Sequence, residues 1–206
     1  MQKRLANLVS YVFHPLLMAT GLVAILYYFA PSVIQPISEA SIIPILLMVF
    51  ILTYIIPLIS IGMLKLTSSI SSFKLSNRKE RLMPFFFVTI YYALTTYLFA
   101  NKVVLGRTLI IIFLAITAII FLVAVITIFY KISAHSAGAW GLVGFLLGLY
   151  FKYPDNHLYY PIMAFIVLAG IINSSRLYLN EHDLEETFWG SILGFSISFG
   201  AIYLLT

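Results

Sequence analysis

The chain contains no cysteine, so disulfide bonds and thiolate chemistry are excluded at the outset. It is also poor in charge, because only 9% of its 206 residues are Asp, Glu, Lys or Arg, whereas a soluble domain averages about 25%. Apolar residues make up 62% of the sequence. So few charges cannot cover a water-soluble fold. The sequence therefore predicts an integral membrane protein in which residues 1–206 form a single transmembrane domain.

Further absences narrow the function. The net charge is +5, but the basic residues are clustered and no soluble domain is expected to dock a duplex, so nucleic acid is not an expected partner. The histidines show no pair at helical spacing and no paired-aspartate motif is visible, which argues against zinc, iron and magnesium sites and against prenyl transfer. We expect partners in the lipid bilayer and an anionic ligand, with no metal and no other cofactor.

Seven apolar segments follow one another along the chain. None of them alternates apolar and polar residues, and backbone groups in lipid must be paired within a segment, so helices are expected. The fifth segment is short against the roughly 20 residues of a spanning helix, so the prediction is an all-α, polytopic transmembrane helical bundle of six to seven membrane segments. The apolar segments run roughly over residues 8–29, 42–64, 82–100, 109–130, 137–150, 158–173 and 187–205.

The first polar stretch, residues 74–81, precedes the third segment. On a helix, Lys74, Arg78 and Arg81 are spaced i, i+4 and i+7, so these cations would share one face. Like charges repel unless an anion lies between them, and arginine grips phosphate through two parallel hydrogen bonds. The alternative is a positive-inside anchor in a cytoplasmic loop, for which Lys79 is the best candidate.

The second polar stretch, residues 133–136, reads Ser133-Ala134-His135-Ser136 and precedes a helical segment. The free backbone N–H groups and the dipole at a helix N-terminus favour an anion, and the histidine and serines would add donors. The alternative is that a serine caps the helix and His135 forms a hydrogen bond in the headgroup region.

The third polar stretch, residues 175–186, contains Ser175-Arg176 and then His182 and Glu186. Arg176 follows an apolar segment, from which it can reach a phosphate at the membrane surface. His182 and Glu186 are four residues apart and so share a helical face; a carboxylate on one ring nitrogen leaves the other free as a nucleophile or base. The alternative is a cluster of acids, including Glu185, that complements the helix N-terminus.

The remaining polar features favour structural roles. His14 and His157 have neither a carboxylate nor an arginine at helical spacing, so we interpret both as structural or interfacial. A stripe of glycines follows His135 at spacings of three and four residues, which permits close approach of a neighbouring helix. The glycines of this stripe are Gly138, Gly141, Gly144 and Gly148.

The order of the segments predicts that the polar stretches lie together. Two apolar segments separate the first stretch from the second, and two more separate the second from the third. An even number of crossings returns the chain to the same side of the membrane. We therefore expect all of these stretches at one membrane surface, as a single composite site requires.

Together the polar stretches resemble the signature of the type 2 phosphatidic acid phosphatase family. That signature reads Lys, six residues, Arg-Pro; then Pro-Ser-Gly-His; then Ser-Arg, five residues, His, three residues, Asp. Lys74 and Arg81 have the first spacing, with the proline displaced to Pro84, which makes Arg78 a substitute candidate. Ser133-Ala134-His135 is similar to the second part, with Ile132 and Ala134 in place of proline and glycine. Residues 175–186 match the third part, with glutamate for aspartate.

The resemblance implies a phosphatase-like domain and a membrane lipid phosphatase. His182 would be the nucleophile that forms a phosphohistidine, Glu186 would orient it, and His135 would be the general acid. Fixed cations would replace a metal ion in neutralising the developing charge. The expected substrate is a prenyl diphosphate, phosphatidylglycerophosphate, phosphatidic acid or a lipid A phosphate. The implied phosphate ligands are Lys74, Arg78, Arg81, Ser133 and Arg176.

Two alternative functions stay open at this point. One is a degenerate, non-catalytic relative that binds or transports a phosphorylated lipid, and the altered second part of the signature supports it. The other is a transporter of a small anion. The resemblance implies a bacterial inner membrane with the site on the periplasmic face, and we follow it. The positive-inside rule weakly favours the cytoplasm. The oligomeric state is not predicted. The basic residues that count toward the cytoplasmic placement are Lys3, Arg4, Lys65, Lys79 and Lys131, against Lys102, Arg107 and Lys152 on the other face.

Overall fold

The computed structural model describes residues 2–72, 78–153 and 157–206, and the regular structure in these ranges is helical throughout. Within these ranges, seven helical stretches are long and apolar enough to cross a membrane. The predicted all-α polytopic bundle is therefore confirmed, and the chain is an integral membrane protein. The helices are α1 Gln2–Val12, α2 Met18–Phe29, α3 Glu39–Phe50, α4 Ile56–Leu66, α5 Leu82–Asn101, α6 Arg107–Phe129, α7 Ala134–Lys152, α8 Tyr159–Tyr178 and α9 Leu184–Leu205.

The segment that looked too short forms a full span. Helix α7 has 19 residues, because it begins three residues earlier and ends two residues later than the apolar run alone indicated. At a rise of 1.5 Å per residue this is about 28 Å, close to the hydrocarbon thickness of about 30 Å. Ser133 fixes the start, since its hydroxyl oxygen accepts the backbone N–H of Ser136.

Helices α7 and α9 pack in close contact through the predicted glycine stripe. A Cβ atom added at Gly144 would lie 2.7 Å from the carbonyl oxygen of Phe195, and one at Gly148 would lie 2.9 Å from Cβ of Ile202. On the opposing helix, a Cβ at Gly194 would collide with the carbonyl of Ala137. This close packing brings the start of α7, with the second polar stretch, beside the start of α9.

Two spans are interrupted at membrane depth. In the first span, the chain leaves α1 after Val12, forms a 3₁₀ turn at Pro15–Leu17 and resumes as α2. In the second span, a π-helical turn at Ile51–Ile55 joins α3 to α4. Irregular backbone at this depth is tolerated where it is buried in protein or lines a cavity. These interruptions face each other, since the rings of His14 and Tyr54 lie 6.2 Å apart.

The helical spacing considered for residues 74–81 does not apply over the part that the structure describes, because residues 78–81 are not α-helical. Arg78 lies in a turn, Lys79–Arg81 forms a 3₁₀ turn, and α5 begins only at Leu82. Pro84 favours this late start, because a proline has no N–H to donate and is best tolerated in the first turn of a helix, where it lies in α5. Lys74 lies outside the described residues.

Candidate functional site

A cavity of about 620 Å³ lies inside the bundle, at the end where the second and third polar stretches meet. This volume falls within the range of about 300–1,000 Å³ that is typical of small-molecule sites. Its wall is polar at this end and apolar farther along the bundle. The polar part includes Ser10, His14, Arg81, His135, Arg176, Glu181 and His182.

His182 and Glu186 form a buried hydrogen-bonded pair, with 2.5 Å between Nδ1 and Oε2. A guanidinium nitrogen of Arg81 lies 3.4 Å from the other ring nitrogen, Nε2. Because an arginine N–H can only donate, Nε2 must accept, and the neutral ring carries its proton on Nδ1. The lone pair of Nε2 is therefore on the side where the cavity lies, as the predicted nucleophile requires.

The charge state of His182 follows from its surroundings. Burial and the positive charges of Arg81 and Arg176 lower the pKa of the His182 imidazole from 6.5 to about 2. The ring is therefore neutral at physiological pH. Neutral imidazole is the form in which histidine acts as a nucleophile or a base.

The start of α9 holds Glu186 in place. Asp183 caps the helix, and its Oδ1 accepts the Glu186 N–H at 2.8 Å, so this carboxylate is engaged away from His182. The carbonyl of Glu186 accepts the N–H of Ser133 at 3.1 Å, which ties α9 to the start of α7. Lys131 Nζ lies 3.4 Å from Glu186 Oε2. Glu185 is exposed.

Arg81 and Arg176 are buried cations, with 3% and 8% of their surface exposed. A guanidinium nitrogen of Arg81 also donates to the carbonyl of Ile132 at 3.4 Å. Arg176 donates to the hydroxyl of Ser10 at 3.3 Å. Its Nε is enclosed and has no hydrogen-bond partner within residues 2–72, 78–153 and 157–206. A buried donor without a partner is costly, so Arg176 has spare capacity to bind an anion in the cavity.

His135 occupies the first turn of α7 and lines the cavity. Its Nε2 lies 3.2 Å from the backbone carbonyl oxygen of Ser10. A carbonyl oxygen can only accept, so Nε2 carries a proton and Nδ1 is the nitrogen left to take up or release one. The ring is edge-on to His14, with 5.7 Å between the ring centroids.

Two predicted phosphate ligands have structural partners. The Ser133 hydroxyl is fully buried and caps α7, accepting from the N–H of Ser136 at 3.3 Å. The guanidinium of Arg78 donates to the carbonyl of Phe129, at the α6 C-terminus, where a cation is favoured. The described residues that line the cavity include neither of them. Their roles as phosphate ligands, and that of Lys74, stay predictions.

Sequence reasoning missed several residues of this site. Lys131 precedes the second stretch and Glu181 lies within the third, and Lys131 Nζ donates to the Glu181 carbonyl at 2.6 Å. His14 and Ser10 come from the first span, far from every polar stretch in sequence. One signal could have identified His14, because an ionisable residue within a spanning segment is by default a functional-site hypothesis.

Fold and site together define the class: a polytopic α-helical membrane protein with an internal cavity lined by histidines and arginines. No protein-family model, curated protein or solved structure matches the chain. In the described part of the chain, no group of three or more His, Asp or Glu side chains is arranged to hold a metal ion.

Proposed function

We propose that this protein is a membrane lipid phosphatase of the type 2 phosphatidic acid phosphatase family, acting through a phosphohistidine without a metal ion. One observation carries the proposal. The lone pair of His182 Nε2, whose opposite nitrogen is held by Glu186, shares a cavity with the buried guanidinium groups of Arg81 and Arg176. A nucleophile between fixed cations is what transfer of a phosphoryl group to a side chain requires.

The cations support a phosphate ligand. Arg81 and Arg176 are both buried in the cavity wall, and the Arg176 Nε donor is enclosed without a partner among the described residues. An anion with several oxygens offsets the repulsion between such groups and accepts two hydrogen bonds from one guanidinium. The long 3.4 Å contact of Arg81 with His182 Nε2 is weak, so Arg81 can transfer its hydrogen bond to an incoming phosphate oxygen.

The apolar part of the cavity supports a lipid tail. Along α7 the wall extends from His135 to Phe145, which is about 15 Å at 1.5 Å per residue, roughly half of the hydrocarbon thickness. Tyr11 of α1 and Leu58 of α4 line the cavity and are also exposed, by 66% and 39%. Leu58 lies about 12 Å from the end of α4, so this exposed part of the cavity wall is at lipid depth. A tail would enter sideways from the bilayer.

The reaction then has two steps. His135 enters the first step protonated on both ring nitrogens. His182 Nε2 attacks the phosphorus, a nitrogen–phosphorus bond forms, and the bond from phosphorus to the lipid oxygen breaks as that oxygen takes the Nδ1 proton of His135, which leaves His135 neutral. Water next attacks the phosphohistidine and gives a proton to His135, and the nitrogen–phosphorus bond breaks to release free phosphate. Arg81 and Arg176 stabilise the charge that develops on the phosphoryl oxygens. Glu186 stabilises the positive charge of the phosphorylated ring.

The expected location follows from the resemblance: the bacterial inner membrane, with the site facing the periplasm. The four classes of substrate stay a prenyl diphosphate, phosphatidylglycerophosphate, phosphatidic acid and a lipid A phosphate. The alternative is a non-catalytic relative that binds or transports a phosphorylated lipid or an anion. The observation that favours this alternative is the contact of Arg81 with His182 Nε2, because a hydrogen bond from Arg81 occupies the lone pair that the nucleophile would use.

Purified protein assayed for phosphate release from each of these lipids, in detergent with a chelator, tests the proposal. We expect release by the wild type and a loss of at least about 10³-fold in His182→Gln, because the nucleophile is gone. The matched control is Glu185→Gln, an exposed acid of the same helix turn, which should retain activity. Lipid binding without release would support the alternative, and full activity of His182→Gln would contradict the proposed nucleophile.

A further inference from the structure

A third histidine, His14, lines the same cavity but has no part in the chemistry described so far. It caps the 3₁₀ turn that interrupts the first span, and its Nδ1 accepts the backbone N–H of Leu16 at 3.3 Å. A backbone N–H can only donate, so Nδ1 is the acceptor and the neutral ring carries its proton on Nε2. Within the described ranges no acceptor forms a hydrogen bond with this Nε2–H.

The position of His14 is at the boundary between the polar and apolar parts of the cavity. It lies one helical turn beyond Ser10, whose carbonyl holds His135, and so deeper in the membrane than His182, which lies outside the spans. Across the cavity, the π-helical turn Ile51–Ile55 presents Tyr54 to the His14 ring. Turns of this kind occur frequently at functional sites.

Capping alone does not require a histidine here. Asparagine, aspartate and serine are the preferred capping residues, and each is smaller than an imidazole. The His14 ring instead places a second imidazole edge-on to His135, with 5.7 Å between centroids. Two interrupted spans thus converge on one ring whose free donor lies beside the predicted general acid.

We propose that His14 donates its Nε2–H to the oxygen that joins the substrate's phosphate to the lipid, an inference that rests on the proposed function. In-line displacement puts this leaving oxygen opposite the attacking nitrogen of His182, on the side of the apolar cavity. His135 supplies the proton, while the hydrogen bond from His14 stabilises the negative charge that builds up before the proton arrives. No covalent bond of His14 is made or broken.

Two variants separate this role from capping. His14→Asn keeps an acceptor near the Nδ1 position and loses the Nε2–H donor, whereas His14→Gln keeps a distal donor and loses the cap. Each is assayed with the lipid phosphate that the wild type hydrolyses best and with 4-nitrophenyl phosphate, whose weakly basic leaving group needs no such hydrogen bond. Thermal unfolding is measured for every variant.

We expect His14→Asn to unfold at the wild-type temperature and to lose about 10–100-fold in kcat/KM on the lipid phosphate, the usual effect of a lost hydrogen bond to a developing charge. On 4-nitrophenyl phosphate its loss should stay within about threefold. His14→Gln should unfold at a lower temperature and recover most of the activity on the lipid.

Other outcomes overturn the proposed role of His14, or that role together with the proposed lipid phosphatase. Wild-type activity of His14→Asn on the lipid, or equal losses on both substrates, would show that His14 only supports the fold, and the proposed function would stand. Wild-type protein that releases phosphate from neither substrate, or from 4-nitrophenyl phosphate alone, would overturn the proposed lipid phosphatase and the role of His14 with it.

Discussion

At the residue scale, the site depends on which nitrogen of each histidine carries the proton. Backbone and arginine partners fix the protons on Nδ1 of His182 and Nε2 of His135 and His14. These assignments leave a lone pair on His182, a proton-exchanging nitrogen on His135 and a permanent donor on His14. The three histidines therefore present three different arrangements of proton and lone pair in one cavity.

The protonation state of His182 is the first prediction. Its folded-state pKa of about 2 lies below the unfolded value of 6.5, so protonation is disfavoured in the fold, and the stability that His182 contributes above pH 6.5 is lost as the pH falls toward 2. Nitrogen-15 NMR of histidine-labelled protein, assigned with His182→Gln, should show a neutral Nδ1–H ring between about pH 5 and pH 8. A titration midpoint near 6.5 would contradict the assigned environment.

Arg176 gives the second prediction. With its Nε unpartnered among the described residues, this guanidinium should bind the phosphate analogue orthovanadate. We expect orthovanadate to raise the unfolding temperature of the wild type but not of Arg176→Met, and turnover of this variant to fall about 10²–10³-fold. Arg107→Met, an exposed arginine at the opposite end of the bundle, is the matched control and should respond as the wild type does. Stabilisation of Arg176→Met by orthovanadate would remove Arg176 from the site.

At this scale the sequence could predict a contact between two side chains only where the two residues are close in the chain. The pairing of His182 with Glu186 was predicted from a shared helical face, and the two side chains are indeed hydrogen-bonded. The predicted reason is wrong, because His182 lies in the bend before Asp183, the cap of α9. The contacts of His14 could not, because His135 and Tyr54 come from different helices. The capping role of Ser133 was one of two alternatives that the sequence alone did not separate.

At the scale of elements, the contact between α7 and α9 builds the site. Small residues on both helices let their backbones approach, which brings the Ser133 N–H to the Glu186 carbonyl at 3.1 Å. The same contact positions His135 and His182, since His135 is close to Ser133 in the chain and His182 is close to Glu186. The spacing of glycines in α7 predicted a close helix contact, but which helix makes that contact depends on the fold.

A matched pair of glycines in α9 tests this contact. A Cβ at Gly194 would collide with the Ala137 carbonyl, whereas one at Gly200 meets nothing within 4 Å. Gly194→Ala should therefore lose about 1–3 kcal/mol of stability and most of its activity, measured by thermal unfolding and phosphate release. Gly200→Ala should match the wild type or exceed it in stability, since alanine favours helix. Equal behaviour of the two variants would show that the close contact is not needed.

At the scale of the whole molecule, the seven candidate spans among the described residues bring the described parts of the polar stretches to one end of the bundle. This could be predicted from hydropathy, because long apolar runs and their order decide which loops share a side. The rotation and tilt of each helix could not, since side-chain packing sets them. For that reason the cavity, and the exposed Tyr11 and Leu58 in its wall, became visible only in the fold.

The proposed periplasmic site makes a prediction that the lack of cysteine renders easy to test. Single cysteines introduced at Glu185 and Val104, both exposed, lie at opposite ends of the bundle. In intact bacterial cells a membrane-impermeant maleimide should label the cysteine at 185 and leave that at 104 unlabelled until the cells are permeabilised. Labelling of 104 alone would place the site in the cytoplasm, and labelling of both would contradict the number of spans.

The central claim is that the phosphoryl group passes through His182. Its most direct test is to mix the protein with a lipid phosphate, quench the reaction in alkali, where phosphohistidine survives, and locate the phosphoryl group by peptide mass spectrometry. We predict a phosphoryl group on His182 in the wild type and none in His182→Gln. A phosphoryl group on another residue, or turnover without any phosphorylated protein, would contradict the account.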